Sequence, residues 1–87
     1  MTEYTIKIID AKKPVVKAVP SSDTYKMSGY AMSTVLKNAK DCAKKVGATR
    51  FSIMRNDKNG NTLMGIWLLD YSTGKWMMTI GMPKMLW

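Results

Sequence analysis

SGYAMSTVLKNAKDCAKKVG, residues 28–47, decides the fold of this 87-residue chain. Its apolar positions are Met32, Val35, Leu36, Ala39, Cys42, Ala43 and Val46, a spacing of three and four residues that predicts an amphipathic helix over residues 28–46. Ser28 is the expected N-cap, and Gly47 supplies the left-handed residue that usually ends a helix. A helix with one apolar stripe needs a surface to pack on, and the segments on either side read as strands.

After the helix, residues 50–56, 62–71 and 75–82 form three extended runs. They are separated by Asp57-Lys58-Asn59-Gly60-Asn61 and by Ser72-Thr73-Gly74, both too short for anything but antiparallel returns. Before the helix, residues 5–9 alternate as a strand, and residues 15–19 read as a second extended piece between Pro14 and Pro20. A hairpin is the preferred reading of these two, one long bent strand the other; residues 21–27 read as a polar loop. The expected architecture is a single α+β domain, β-β-α-β-β-β, with one helix on one face of an antiparallel sheet of four or five strands.

The middle strand predicts an assembly. Leu63, Met64, Ile66, Trp67, Leu68 and Leu69 make it apolar on both faces, whereas a sheet with one wet face normally alternates. One helix covers one face. Met64, Ile66, Leu68 and Met77 are therefore the expected homodimer interface, with the apolar tail Met85-Leu86-Trp87 as a competing cover. Trp67 and Trp76 share parity with Leu63 and Leu69, and with Met78 and Ile80, so both read as core.

Charge points to function. The chain carries 14 Lys and Arg against 6 Asp and Glu, a formal +8, and residues 26–50 alone hold a net +5. On the helix, Lys37, Lys40 and Lys44 lie opposite the apolar stripe with Lys45 beside them, and only Asp41 offsets them. At ~1.5 Å of rise per residue, the first three form a row about 10 Å long. Such a row can follow phosphates and release counterions as it docks. Arg50, Arg55, Lys58, Lys12 and Lys13 are candidates to extend it. The bland reading is a solvated helix face, but helix-stabilising pairs would bring more Glu than this. Nucleic acid is the expected partner, RNA ahead of DNA because no helix-turn-helix, zinc finger or basic zipper is legible. An acidic protein surface is the alternative.

Catalysis is not expected. The chain has no histidine, and its acids, Glu3, Asp10, Asp23, Asp41, Asp57 and Asp70, are scattered singly. Cys42, the one cysteine, falls in the helix stripe as a small core residue, and the six glycines make no phosphate loop. No cofactor or metal is expected. No apolar run approaches the ~18 residues of a membrane span, and a cytoplasmic setting is expected.

From the helix onward the layout resembles that of small phage-encoded counter-defence proteins, including some anti-CRISPR proteins. They share a leading strand, a Ser-containing loop, a Lys/Ala-rich helix and a Trp-bearing antiparallel meander. The stretches that carry the resemblance are residues 33–46, 51–55 and 66–71, with Asn59-Gly60 and Gly74-Lys75-Trp76. The likeness is one of arrangement over about half the chain. It implies a stoichiometric inhibitor that docks through its lysines on a ribonucleoprotein, a nucleic acid or a host enzyme.

Overall fold

Tyr4, Ile6 and Ile8 turn inward from the first strand, and Glu3, Thr5, Lys7 and Ile9 turn outward. The computed structural model describes residues 2–13 and 23–87, and in it this strand is β1 (Glu3–Ile9). It is followed by β2 (Thr24–Ser28), α1 (Met32–Lys45), β3 (Arg50–Asp57), β4 (Gly60–Asp70), β5 (Lys75–Gly81) and a 3-10 turn at Lys84–Leu86. The strands make one antiparallel sheet in the order β2-β1-β3-β4-β5, with α1 packed on one face. The expected α+β class and the single covering helix hold.

The front of the chain differs from expectation. The strand predicted over residues 15–19 lies outside the described residues. The segment expected as a loop contains β2, which pairs Tyr25 with Ile6 and Met27 with Tyr4. Tyr25 and Met27 pack on the core while Thr24, Lys26 and Ser28 alternate away from it. Pairing with β1 supplies what the short polar composition of β2 does not, which is the usual way tertiary context overrides propensity.

Both β2 and β3 flank β1, so α1, which links them in sequence, crosses β1. Met32, Val35, Ala39 and Ala43 are its buried positions, and they pack on β1 and β3. The helix starts later than expected. Ser28 closes β2 opposite Glu3, and the cap position belongs to Ala31, which makes no side-chain cap hydrogen bond. Its other end matches the reading: Gly47 has φ +71°, Gly47 N–H donates to Lys44 O at 3.3 Å, and Ala48 N–H donates to Ala43 O at 2.9 Å. Those two bonds are the Schellman closure, which satisfies carbonyls the helix leaves open. The Lys12 N–H donates to Val46 O at 2.8 Å and ties the turn after β1 to the helix end.

Phe51 occupies the centre of the core. Its ring stacks on Trp67 at 5.3 Å and 12°, and meets Trp76 edge-on at 4.9 Å and 60°. Such pairs contribute ~0.5–1.5 kcal/mol each beyond their burial. Trp67 is buried, as expected; Trp76 packs on the core but stays half-exposed.

Two irregularities reset the face of the apolar residues. Ile53 pairs with Gly65 and Met54 with Leu63, so Met64 is an extra residue, and it is fully buried. Met64 is therefore core and cannot join the expected interface; a bulge breaks the two-residue alternation on which that assignment rested. In β5, Ile66 pairs with Ile80 and Trp67 with Met78, leaving Thr79 over, its hydroxyl donating to Ile66 O at 3.1 Å. That shift turns Ile80 away from the helix, against its expected place with Trp76 and Met78. Ile66, Leu68, Met77 and Ile80 thus share the helix-free face, where Met77 and Ile80 are 56% and 62% exposed.

Gly65 and Gly81 face each other across β4 and β5. A Cβ on Gly81 would lie 2.4 Å from Gly65 Cα and 2.5 Å from Met64 O, and its φ of +149° suits glycine alone. Gly81→Ala is expected to lower stability by about 2–4 kcal/mol, combining backbone strain with overpacking. Urea unfolding followed by tryptophan fluorescence checks this; an unchanged midpoint would mean that the two strands have room to part.

Candidate nucleic-acid interface

The flank of α1 that overlooks β4 and β5 carries Lys37, Lys40 and Lys44 at spacings of three and four, so successive side chains fall on one side of the helix. None of the ion pairs among the described residues involves these three lysines. At the helix N-terminal end, Lys37 and Lys40 line a groove of about 300 Å³ with Ser33, Leu36, Lys84 and Trp87. At the C-terminal end, Lys44 lines a groove of about 430 Å³ with Lys12, Leu69, Tyr71 and Trp76.

The tail reaches the helix side of the sheet. Pro83 and the turn at Lys84–Leu86 bring Trp87 against the core, and its indole N–H donates to Met82 O at 3.2 Å. Trp87 thus lies in the groove beside Lys37 and Lys40 while Met85 and Leu86 stay exposed, which corrects the tail's expected alternative place over Ile66, Leu68 and Met77. Sequence reasoning missed both Lys84 and Tyr71. Lys84 follows Pro83 in the tail, and Tyr71, expected as the last residue of a strand, opens the β4–β5 turn instead.

The remaining basic candidates do not gather into one patch. Lys12 joins the row by lining the groove beside Lys44. Lys13 is exposed in the turn after β1. Lys45 projects from the other flank of α1, where its charge acts on Cys42. Arg50 shares the face of Ser52 and Met54, away from the helix, and pairs with Asp10 at 3.4 Å. Arg55 holds Asp57 at 3.2 Å near the far end of β3, and Lys58 sits in the turn beyond it. At ~3.3 Å per residue, Arg50 and Arg55 are about 17 Å apart along the strand.

Two acids lie on the neighbouring elements, Asp41 on α1 and Asp70 at the end of β4. Asp41 points outward from the helix, and Asp70 is held by the Ser72 hydroxyl at 2.7 Å and the Ser72 N–H at 3.0 Å. Those Ser72 hydrogen bonds keep the Asp70 carboxyl below the usual range.

On the opposite flank, the Tyr25 hydroxyl donates to Asn38 Oδ1 at 2.7 Å, and burial pushes its pKa well up. Burial also raises the Cys42 thiol, only partly offset by the Tyr25 hydroxyl and Lys45. Among the described residues no cluster of three His, Cys, Asp or Glu could hold a metal ion, and no helix is long and apolar enough to cross a membrane.

Comparison with known protein families, with curated proteins and with solved structures finds no match to this chain.

Because the thiolate is the reactive form and burial raises the Cys42 pKa, the native protein at pH 7.5 should react with a maleimide more slowly than the urea-unfolded chain. Equal rates would show that the thiol is freely presented.

Proposed function

We propose that this protein is a non-enzymatic, cytoplasmic nucleic-acid-binding domain that holds a phosphate backbone, of RNA in preference to DNA, along the flank of α1. Lys37, Lys40 and Lys44 make the central contacts, and Lys12 and Lys84 extend them at either end. One observation carries the reading: three lysines stand in line on one helix flank with no ion-paired acid among the described residues, between two grooves that each bring a further lysine. A helix face kept only for solubility would intersperse both signs. Backbone contacts of this kind give sequence-tolerant affinity that falls steeply with salt. Docking on such a backbone would suit a stoichiometric inhibitor of the kind the phage resemblance implies.

The apolar residues of the other face fit a second copy of the chain. Leu68 pairs with Met77 and Ile66 with Ile80, which makes a contiguous patch along β4 and the edge strand β5. A two-fold contact between two such patches closes on itself. Covering Met77 and Ile80 would contribute most, because Ile66 and Leu68 are already better shielded within one chain and burial stabilises in proportion to the apolar area removed from water.

Two experiments test these readings. Replacing Lys37, Lys40 and Lys44 together with Glu should abolish binding to random RNA and DNA while the circular dichroism and unfolding midpoint stay near wild type, because none of the three is core. Removing a single lysine–phosphate pairing should flatten the plot of log affinity against log salt by roughly 0.7–0.9. A folded triple variant that binds as well as wild type refutes the backbone reading. For the assembly, sedimentation at micromolar concentration should give a dimer that Ile80→Lys converts to monomer. A wild-type monomer ends that claim.

A further inference from the structure

We infer that the two grooves beside the lysine row accept unpaired bases, so that the ligand is a single strand rather than a duplex. This rests on the backbone reading above and adds to it a role for aromatic side chains, which a purely electrostatic contact does not need.

Both grooves combine the same two kinds of group. One sets Tyr71 and Trp76 beside Lys12 and Lys44; the other sets Trp87 beside Lys37, Lys40 and Lys84. Lys40 and Lys44, one in each groove, are separated by four residues, about 6 Å of helix rise. The grooves therefore follow one another along a single line of positive charge. Tyr71 is 78% exposed in a turn, where no core packing accounts for an aromatic ring. Trp76 uses an edge-on contact with Phe51 to stay in place and remains half-exposed on the groove side.

A strand of nucleic acid offers charge and flat rings at alternating positions, and this arrangement meets both. Every base has a π-face, so stacking is tolerant of sequence, and one stacked base strengthens binding about 5- to 150-fold. A duplex keeps its bases paired and stacked on one another, and could engage only the lysines. An acidic polypeptide could likewise satisfy the lysines but would leave the rings without flat partners.

The test uses the full chain and four probes of equal length: oligo-uridine, a sugar-phosphate strand without bases, an RNA duplex and polyglutamate. Tryptophan quenching reports groove occupancy and anisotropy reports affinity. Oligo-uridine should bind at least about fivefold tighter than the base-free strand and should quench tryptophan. Tyr71→Ala should remove about fivefold or more from oligo-uridine binding and leave the base-free strand unaffected, and Tyr71→Phe should restore the difference. Tyr71 is exposed, so neither change threatens the fold.

Equal affinity for the base-bearing and base-free strands, or tighter binding of the duplex, overturns the stacking inference. If the triple charge reversal still abolishes binding in that case, the backbone reading survives without it. Binding of polyglutamate with no binding of any oligonucleotide overturns both and assigns the row to an acidic protein.

Discussion

One helix cannot cover five strands, and the rest of the molecule follows from that mismatch. A helix with its side chains is about 10–12 Å across, and strands lie about 4.8 Å apart, so α1 can shield only two or three of them. It settles over β1 and β3, where the small side chains of Ala39 and Ala43 are fully buried. The β4–β5 side of the same face is left to Trp67, Trp76, Met78 and the returning Trp87, which pack in and around the core without a helix above them. Grooves form where the flank of the helix drops to that uncovered sheet, and the lysines on this flank become their walls.

The two bulges serve the same economy of surface. With strict alternation, Met64 would join Ile66 and Leu68 on the open face. The extra residue turns it into the core, where it is fully buried, and puts Leu63, the partner of Met54, on the open face in its place. The extra Thr79 has the opposite effect, sending Ile80 outward to pair with Ile66. Close contact of Gly65 with Gly81 lets β4 and β5 accommodate these changes of twist, and the Trp67 ring lies over the Gly65 position where a side chain would otherwise sit.

Charge and apolar surface are divided between the two faces of the sheet. Among the described residues the lysines of the helix flank have no ion-paired acid, whereas Arg50 and Arg55 elsewhere are tied to Asp10 and Asp57. The difference matters energetically because an unpaired cation keeps its full attraction for a phosphate, while a paired one must first give up its partner. For the proposed single-stranded ligand, aromatic rings beside these lysines would add an attraction that salt does not screen.

The helix stripe, its Gly47 stop and the three-strand meander were legible in the sequence because each depends on neighbours within a few residues. The lysine row was legible for the same reason, since helical spacing alone puts Lys37, Lys40 and Lys44 on one side. Residues 24–28 also alternate, with Tyr25 and Met27 inward, but five residues of mixed polarity become a strand only through their ladder with β1. Ser28 has the chemistry of a cap, but the same ladder claims its backbone. The face taken by Met64 and Ile80, the flank chosen by Trp87, and the partition of Arg50, Arg55 and Lys58 away from the row were decided by bulges, by a tail that folds back, and by strand order. Those are contacts between residues distant in the chain, and local periodicity carries no information about them; the sequence alone determined which surfaces were apolar or basic, and only the packing of one narrow helix on a broad sheet determined which of them meet.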